Sequence, residues 1–228
     1  MTVQRPHVPA RFADRRQAGA VLAEHLDLYA GRTDLVVLAL PRGGVPIGYE
    51  VARHLHAPLD VLVVRKLGAP GHPEFAMGAI AGGGITVLDD AFIAAYRVPA
   101  RVLDAIVERE RAEVARRERA YRADRPPVVV KGQTVIVVDD GLATGSTMHA
   151  AVLALRRQSP AGIVVAVPVG SRQACDALTE VADHVICPLM PEPFSAVGLW
   201  YGDFSETTDE EVRQLLAQPT TSPAQRSA

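Results

Sequence analysis

The stretch Val135-Ile136-Val137-Val138-Asp139-Asp140-Gly141-Leu142-Ala143-Thr144-Gly145-Ser146-Thr147 constrains this chain more than any other. A run of β-branched residues reads as a strand buried on both faces. Two acids follow at its carboxyl end, then a short loop of Gly, Thr and Ser, then an Ala/Leu-rich helical pattern. In an open α/β sheet, ligands bind outside the carboxyl end of a strand and beside a helix N-terminus. The loop suits a phosphate. Gly145 lets backbone approach closely, successive N–H groups can cradle an anion, and the helix dipole favours negative charge at that end. The hydroxyls of Thr144, Ser146 and Thr147 add donors. A Walker-type loop is excluded, because no Lys follows Gly145.

The two carboxylates suit a different part of the same ligand. A carboxylate facing a phosphate would repel it, so Asp139 and Asp140 are expected to face hydroxyls or a bound Mg²⁺. A phosphate at one end and a vicinal diol in the middle describe a ribose 5-phosphate. With strand, acid pair, loop and helix in this order, the segment resembles the phosphoribosyl pyrophosphate (PRPP)-binding motif of the type I phosphoribosyltransferases. The resemblance implies that Asp139 and Asp140 contact the ribose 2′- and 3′-hydroxyls, with Mg²⁺ reached indirectly through ribose or water. It implies that Ala143, Thr144, Gly145, Ser146 and Thr147 hold the 5′-phosphate.

Three further stretches fit the same reading. Leu35 to Leu40 predicts a buried strand that runs into Pro41-Arg42-Gly43-Gly44, a second strand–Gly loop–helix unit with a fixed positive charge at Arg42. In the family, a short loop here holds the pyrophosphate. Leu59 to Val64 predicts the next strand, running into Arg65-Lys66, two cations at the end of a core strand. They resemble the Arg-Lys pair of orotate- and adenine-type members, where the cations serve the pyrophosphate. Ala69 to Met77 has the composition of a mobile loop, with His72 and Glu74 its titratable groups. The family has a flexible loop at this position that closes over the reacting ribose. This one carries no basic residue beyond Lys66.

Phe194 to Phe204 is aromatic-rich in a chain with 5% aromatics. It resembles the hood of purine-type members, and the likeness makes Trp200, Tyr201 and Asp203 candidates for the acceptor pocket. Asp14 is expected to cap a helix reaching about Tyr29. Gly78 to Leu88 reads as a hairpin with a glycine turn. Pro99 opens a charged helix to about Tyr121, with a narrow stripe of Leu103, Val107, Val114 and Tyr121 and favourable Glu113/Arg117 and Glu118/Arg122 pairs. Alternating strands and helices point to a parallel sheet.

The expected fold is therefore α/β: a central, mostly parallel sheet flanked by helices. One domain over residues 1–217 would carry an insertion at about 78–126, a hood at about 188–205, and a disordered tail at 218–228. A formal charge of −2 gives no electrostatic case for nucleic acid or membrane. Two cysteines make no disulfide framework, no apolar run approaches a membrane span and no signal-peptide pattern is visible, so the expectation is cytoplasmic. The resemblance implies transfer of a 5-phosphoribosyl group from Mg²⁺–PRPP to a nitrogen acceptor such as a nucleobase, and is compatible with a homodimer. A PRPP-sensing module without turnover, or a hydrolase or phosphorylase of another ribose phosphate, remains an alternative.

Overall fold

The computed structural model describes residues 6–70, 72–123 and 125–221, with backbone alone for 72–76. Five strands form a parallel sheet: β1 (Leu35–Ala39), β2 (Leu59–Val61), β6 (Thr134–Val138), β7 (Gly162–Ala166) and β8 (His184–Ile186). Their spatial order is β2-β1-β6-β7-β8. β6 is the central strand and all five of its residues are buried. Its side chains alternate between two cores. Val135 and Val137 pack with α5 (Ser146–Arg156) and α6 (Arg172–Leu178). Ile136 and Val138 pack with α1 (Arg15–Glu24) and α2 (Gly44–Leu55). That two-sided burial explains why β6 reads as an unbroken apolar run rather than an alternating one.

Strand order places the site. The chain leaves β1 through α2 towards β2 and leaves β6 through α5 towards β7, in opposite directions from a pair of hydrogen-bonded neighbours. This is a topological switch point, where a crevice opens outside the strand ends. The Pro41–Gly44 turn follows β1 and the Asp139–Thr147 segment follows β6, so both candidate loops flank that crevice.

The expected strand from Leu59 to Val64 is in fact two elements. β2 ends at Val61 and the chain crosses to a second, antiparallel sheet of β3 (Val64–Ala69), β4 (His72–Ala81) and β5 (Ile85–Leu88). Arg65 and Lys66 lie inside β3, opposite Ile80 and Ala79, not at the end of a core strand. An apolar run carries no mark of where a chain changes sheets. The expected mobile loop over Ala69–Met77 is likewise a strand for most of its length. β4 pairs with β3, and the register shifts between Gly68↔Ala76 and Ala69↔His72. This irregularity accommodates Pro73, which cannot donate to a regular ladder. The side chains of His72 and Glu74 lie outside the described residues, so their expected role is not addressed by contacts. The glycine hairpin is present: Gly82–Gly84 links β4 to β5, with Gly83 and Gly84 at φ 75° and 76°.

The short α3 (Asp90–Ala95) leads to α4 (Ala100–Arg122), which has both expected i,i+4 ion pairs. Its apolar stripe packs inward on β3, β4 and α7 (Asp209–Ala217) and contributes to a third core. Arg122 anchors α4 on β2. It donates to both carboxylate oxygens of Asp60 at 2.8 and 2.9 Å, to Glu118 at 2.6 Å and to the Val61 carbonyl. Asp60 also accepts from Val61 N and Val128 N. At the C-terminus, Thr220 is buried and donates to the Ala57 carbonyl. The chain thus stays packed within the segment expected to be a disordered tail, whose residues 222–228 lie outside the described residues. No described helix is long and apolar enough to cross a membrane.

Replacing Arg122 would leave the buried Asp60 and the half-buried Glu118 without their cation, a change that costs about 3–5 kcal/mol in comparable buried settings. Arg122→Met is expected to lower the unfolding free energy by about 3 kcal/mol in urea titrations at pH 7. A loss below about 1 kcal/mol would show that this network contributes nothing beyond a surface pair.

Candidate active site

The central feature is the acid pair at the end of β6. The Asp139 Oδ1 accepts from Asp140 N at 2.8 Å. The Asp140 Oδ2 accepts from Arg15 Nε at 3.0 Å and lies 2.9 Å from Arg15 Nη2. The Asp140 carbonyl accepts from the Tyr201 hydroxyl at 2.6 Å. Among the described residues, Asp139 Oδ2 and Asp140 Oδ1 receive no hydrogen bond. One oxygen on each carboxylate is therefore left as an acceptor, which suits hydroxyl donors.

The Pro41–Gly44 turn packs against these acids because it lacks side chains. A Cβ on Gly43 would stand 2.1 Å from Asp140 Oδ2, and one on Gly44 would stand 2.7 Å from the Val138 carbonyl. Here the glycines serve close approach. The Arg42 guanidinium does not reach the acid pair. It is paired with Glu206 and lies 3.5 Å from Asp209, which also accepts from the Tyr121 hydroxyl.

The phosphate-loop candidate is rigidly backed. Leu142 N donates to the Val169 carbonyl, Ser171 N donates to the Leu142 carbonyl, and Ser171 Oγ donates to the Ala143 carbonyl. Gly145 sits in the left-handed region at φ 72° and forms the N-cap of α5. Thr144 precedes the helix, and Ser146 and Thr147 form its first turn. Lys66 Nζ donates to Ser146 Oγ at 3.2 Å, bringing a cation to this loop from the second sheet. Arg65, one residue earlier, points to the other side of the strand, as the period of two requires. It pairs with the buried Glu110 at 2.8 Å. The Arg-Lys pair is thus divided: Lys66 belongs to the loop, and Arg65 fastens β3 to α4.

The hood candidates separate too. Tyr201 is buried between Phe12 and Phe204 and offers no free ring face to a ligand. Trp200 packs against the α1/α2 core. The Asp203 carboxylate accepts from Ser205 N. These residues are stitched to the N-terminal segment through Phe12 N→Trp200 O, Gly202 N→Phe12 O and Asp203 N→Ala13 O. A cleft of about 880 Å³ opens elsewhere, beside the phosphate loop, lined among others by Lys66, Ser146, His149, Ala79, Val87 and Leu153. The acid pair does not line it.

Sequence reasoning missed Arg15. A signal was present: the helix capped by Asp14 opens with Arg15-Arg16 and has no acid in its first turn. Cations there oppose the helix dipole and so call for a partner elsewhere. Arg15 finds that partner in Asp140.

Burial raises the Asp139 carboxyl well above the usual aspartate range, and the charge of Asp140 adds to the shift. Burial also raises Asp140, against the opposing pull of Arg15. Burial, with the Asp140 charge next, pushes the Tyr201 phenol far up, so it remains a donor. No described group of three or more His, Cys, Asp or Glu side chains could hold a metal by itself. Two carboxylates fit Mg²⁺ only together with substrate phosphates and water, the usual mode for this ion.

Residues 13–191 match the family model described as the phosphoribosyl transferase domain, and the chain belongs to this family. Proteins from two Mycobacterium tuberculosis strains, each named "Putative phosphoribosyl transferase", are 43% identical over 205 residues, covering 90% of this chain. The chain spans about half, 46%, of the length of these curated relatives. A crystal structure of the TT1426 protein from Thermus thermophilus superposes with a TM-score of 0.82 at 46% identity, covering 90% of this chain and 97% of that one. The α/β fold expected from the resemblance is the fold found, and the elements matched by the family model include the acid pair and the loop after it.

The raised Asp139 carboxyl makes the stability of the fold depend on pH. Below the ordinary aspartate value both folded and unfolded chains hold the proton, and no cost arises. Above it the folded state must either retain a proton or bear a buried charge, so stability is lost as pH rises towards the folded value. Asp139→Asn keeps the Oδ1 acceptor and removes that cost. The variant is expected to melt higher than the unmodified protein at pH 8, with the gain vanishing near pH 3. A gain of equal size at both pH values would sink the electrostatic account.

Proposed function

We propose that this protein transfers the 5-phosphoribosyl group from Mg²⁺–PRPP to a nitrogen acceptor, a nucleobase by family resemblance, and releases pyrophosphate. The observation that carries this reading is the pairing of two unliganded carboxylate oxygens, on Asp139 and Asp140, with an anion-suited loop that follows them directly in the chain. Thr144 to Thr147 and Lys66 would bind the 5′-phosphate, and the acid pair the ribose diol. In the reaction the bond from C1 to the pyrophosphate oxygen breaks and the pyrophosphate leaves with the electron pair. The acceptor nitrogen bonds to C1 and gives up its proton to the departing pyrophosphate or to water. Mg²⁺, when bound, would share the charge of the pyrophosphate. Gly43 and Gly44 let the turn after β1 close on the acid pair, and a pyrophosphate bound after β1 would lie beside that turn. Holding donor and acceptor in one geometry can supply ~7–11 kcal/mol of the barrier. Trp200, Tyr201 and Asp203 would act on the acceptor indirectly, by shaping the hood around Asp140.

A second reading has a specific observation in its favour. Arg42 and Arg65, both assigned to the pyrophosphate by resemblance, are paired with Glu206, Asp209 and Glu110. A site that binds PRPP without these cations would sense it rather than turn it over.

Mass spectrometry of the protein incubated with Mg²⁺, PRPP and a pool of nucleobases separates the two. A new phosphoribosylated product, absent from the Asp139→Asn/Asp140→Asn variant, is expected. Saturable PRPP binding with the PRPP left intact would replace the transferase reading with the sensor, and ribose 5-phosphate appearing alone would replace it with hydrolysis.

A further inference from the structure

Arg15 belongs to the first turn of the N-terminal helix, far in sequence from the acid pair, yet its side chain is 12% exposed and fully committed. Nε and Nη2 both contact Asp140 Oδ2, at 3.0 and 2.9 Å. Nη1 donates to the Ser205 carbonyl at 2.6 Å. The guanidinium lies over the Phe204 ring, 4.0 Å from its centroid. Phe204 in turn packs on Tyr201, whose hydroxyl donates to the Asp140 carbonyl.

The contact uses one carboxylate oxygen, as does that of Arg65 with Glu110; what sets Asp140 apart is its place at the candidate site, beside Asp139 and the turn after β1. Here Oδ2 takes both contacts and Oδ1 is spared. Gly43 gives the reason for the geometry on the other side: its missing Cβ leaves the place that Oδ2 occupies, 2.1 Å from where that Cβ would stand, with Arg15 Nε at 3.4 Å. Asp140 is thus fixed at its N–H by Asp139, at its carbonyl by Tyr201 and at Oδ2 by Arg15.

We infer that Arg15 is a positioning residue: it fixes the Asp140 side chain so that Oδ1 is presented to one hydroxyl of a ribose phosphate. This rests on the proposed assignment of the acid pair to a ribose diol. Arg15 does not contact the sugar. It acts through Asp140, and the C-terminal Phe204–Ser205 segment holds it in place. Three parts of the chain that are remote in sequence, the α1 N-terminus, the end of β6 and the Phe204–Ser205 segment, would thus form one ribose-recognition unit.

The test compares two probes, ribose 5-phosphate and inorganic phosphate, by titration calorimetry. Both can use the Thr144–Thr147 loop, and only the first carries the diol. In Arg15→Ala the advantage of ribose 5-phosphate over phosphate is expected to fall about tenfold, the scale of one hydrogen bond to a charged group, while phosphate affinity is unchanged. Arg15→Lys keeps the charge without the paired N–H groups and should recover part of the advantage. An unchanged advantage in Arg15→Ala would overturn the inference. So would a parallel fall for both probes with a lowered melting temperature, the mark of a merely structural contact. Should Arg15→Ala fail to fold, the same comparison on Arg15→Lys decides, an undiminished advantage counting against. Equal binding of the two probes by the unmodified protein would overturn the diol assignment itself, and this inference with it.

Discussion

Two adjacent carboxylates held at the mouth of a buried strand are the constraint on which the rest of this structure depends. Side by side and largely withdrawn from water, they repel each other and resist ionisation. The chain offsets this from several directions. Asp139 accepts the backbone N–H of Asp140, Arg15 brings a guanidinium from the N-terminal helix, and Tyr201 fixes the Asp140 carbonyl. The Pro41–Gly44 turn closes on them with backbone alone, since a methyl group at Gly43 would collide with Asp140. The arrangement presents strong, preorganised acceptors with part of their capacity left open, which is what the proposed ribose contact would use.

The parallel sheet supplies the platform and the antiparallel sheet supplies the reach. The β1 and β6 loops meet because the chain turns in opposite directions at these neighbouring strands. The second sheet then brings Lys66 to the loop before α5, from a strand otherwise devoted to packing. α4 is tied to both sheets through two ionic clusters built on buried carboxylates: Asp60 of β2 with Arg122 and Glu118, and Glu110 with Arg65 of β3. In the low dielectric of these contacts an unmatched charge is far costlier than a matched pair is stabilising, so the clusters specify where α4 sits more than they add to stability.

The N- and C-terminal segments, which a reading of motifs in isolation treats as flanks, close the site together. Residues 12–13 run beside 200–203 with reciprocal backbone hydrogen bonds. Glu206 and Asp209 meanwhile occupy Arg42. The fold thus surrounds the acid pair with contacts from Arg15, the Pro41–Gly44 turn and Tyr201, and among the described residues Asp139 Oδ2 and Asp140 Oδ1 are left without a hydrogen bond.

Much of this was legible in the residues themselves. The apolar run of β6, the Asp pair, the glycine-bearing loop and the capped helices follow from local chemistry, since buried strands, caps and tight turns each select residue types within a few positions. Family membership and the α/β fold follow from those motifs in order. Tertiary structure alone decided which charges meet. Arg65 and Lys66 are adjacent in sequence but opposite in space, because a strand alternates its faces. Arg15 and Asp140 are 125 residues apart and bonded. Tyr201, an aromatic residue whose type suits stacking on a ring, is instead buried to support a carbonyl. Composition and spacing fix periodicity and turns because those are short-range; the partner of a long, flexible, charged side chain is set by the packing of distant elements, and no local pattern contains it.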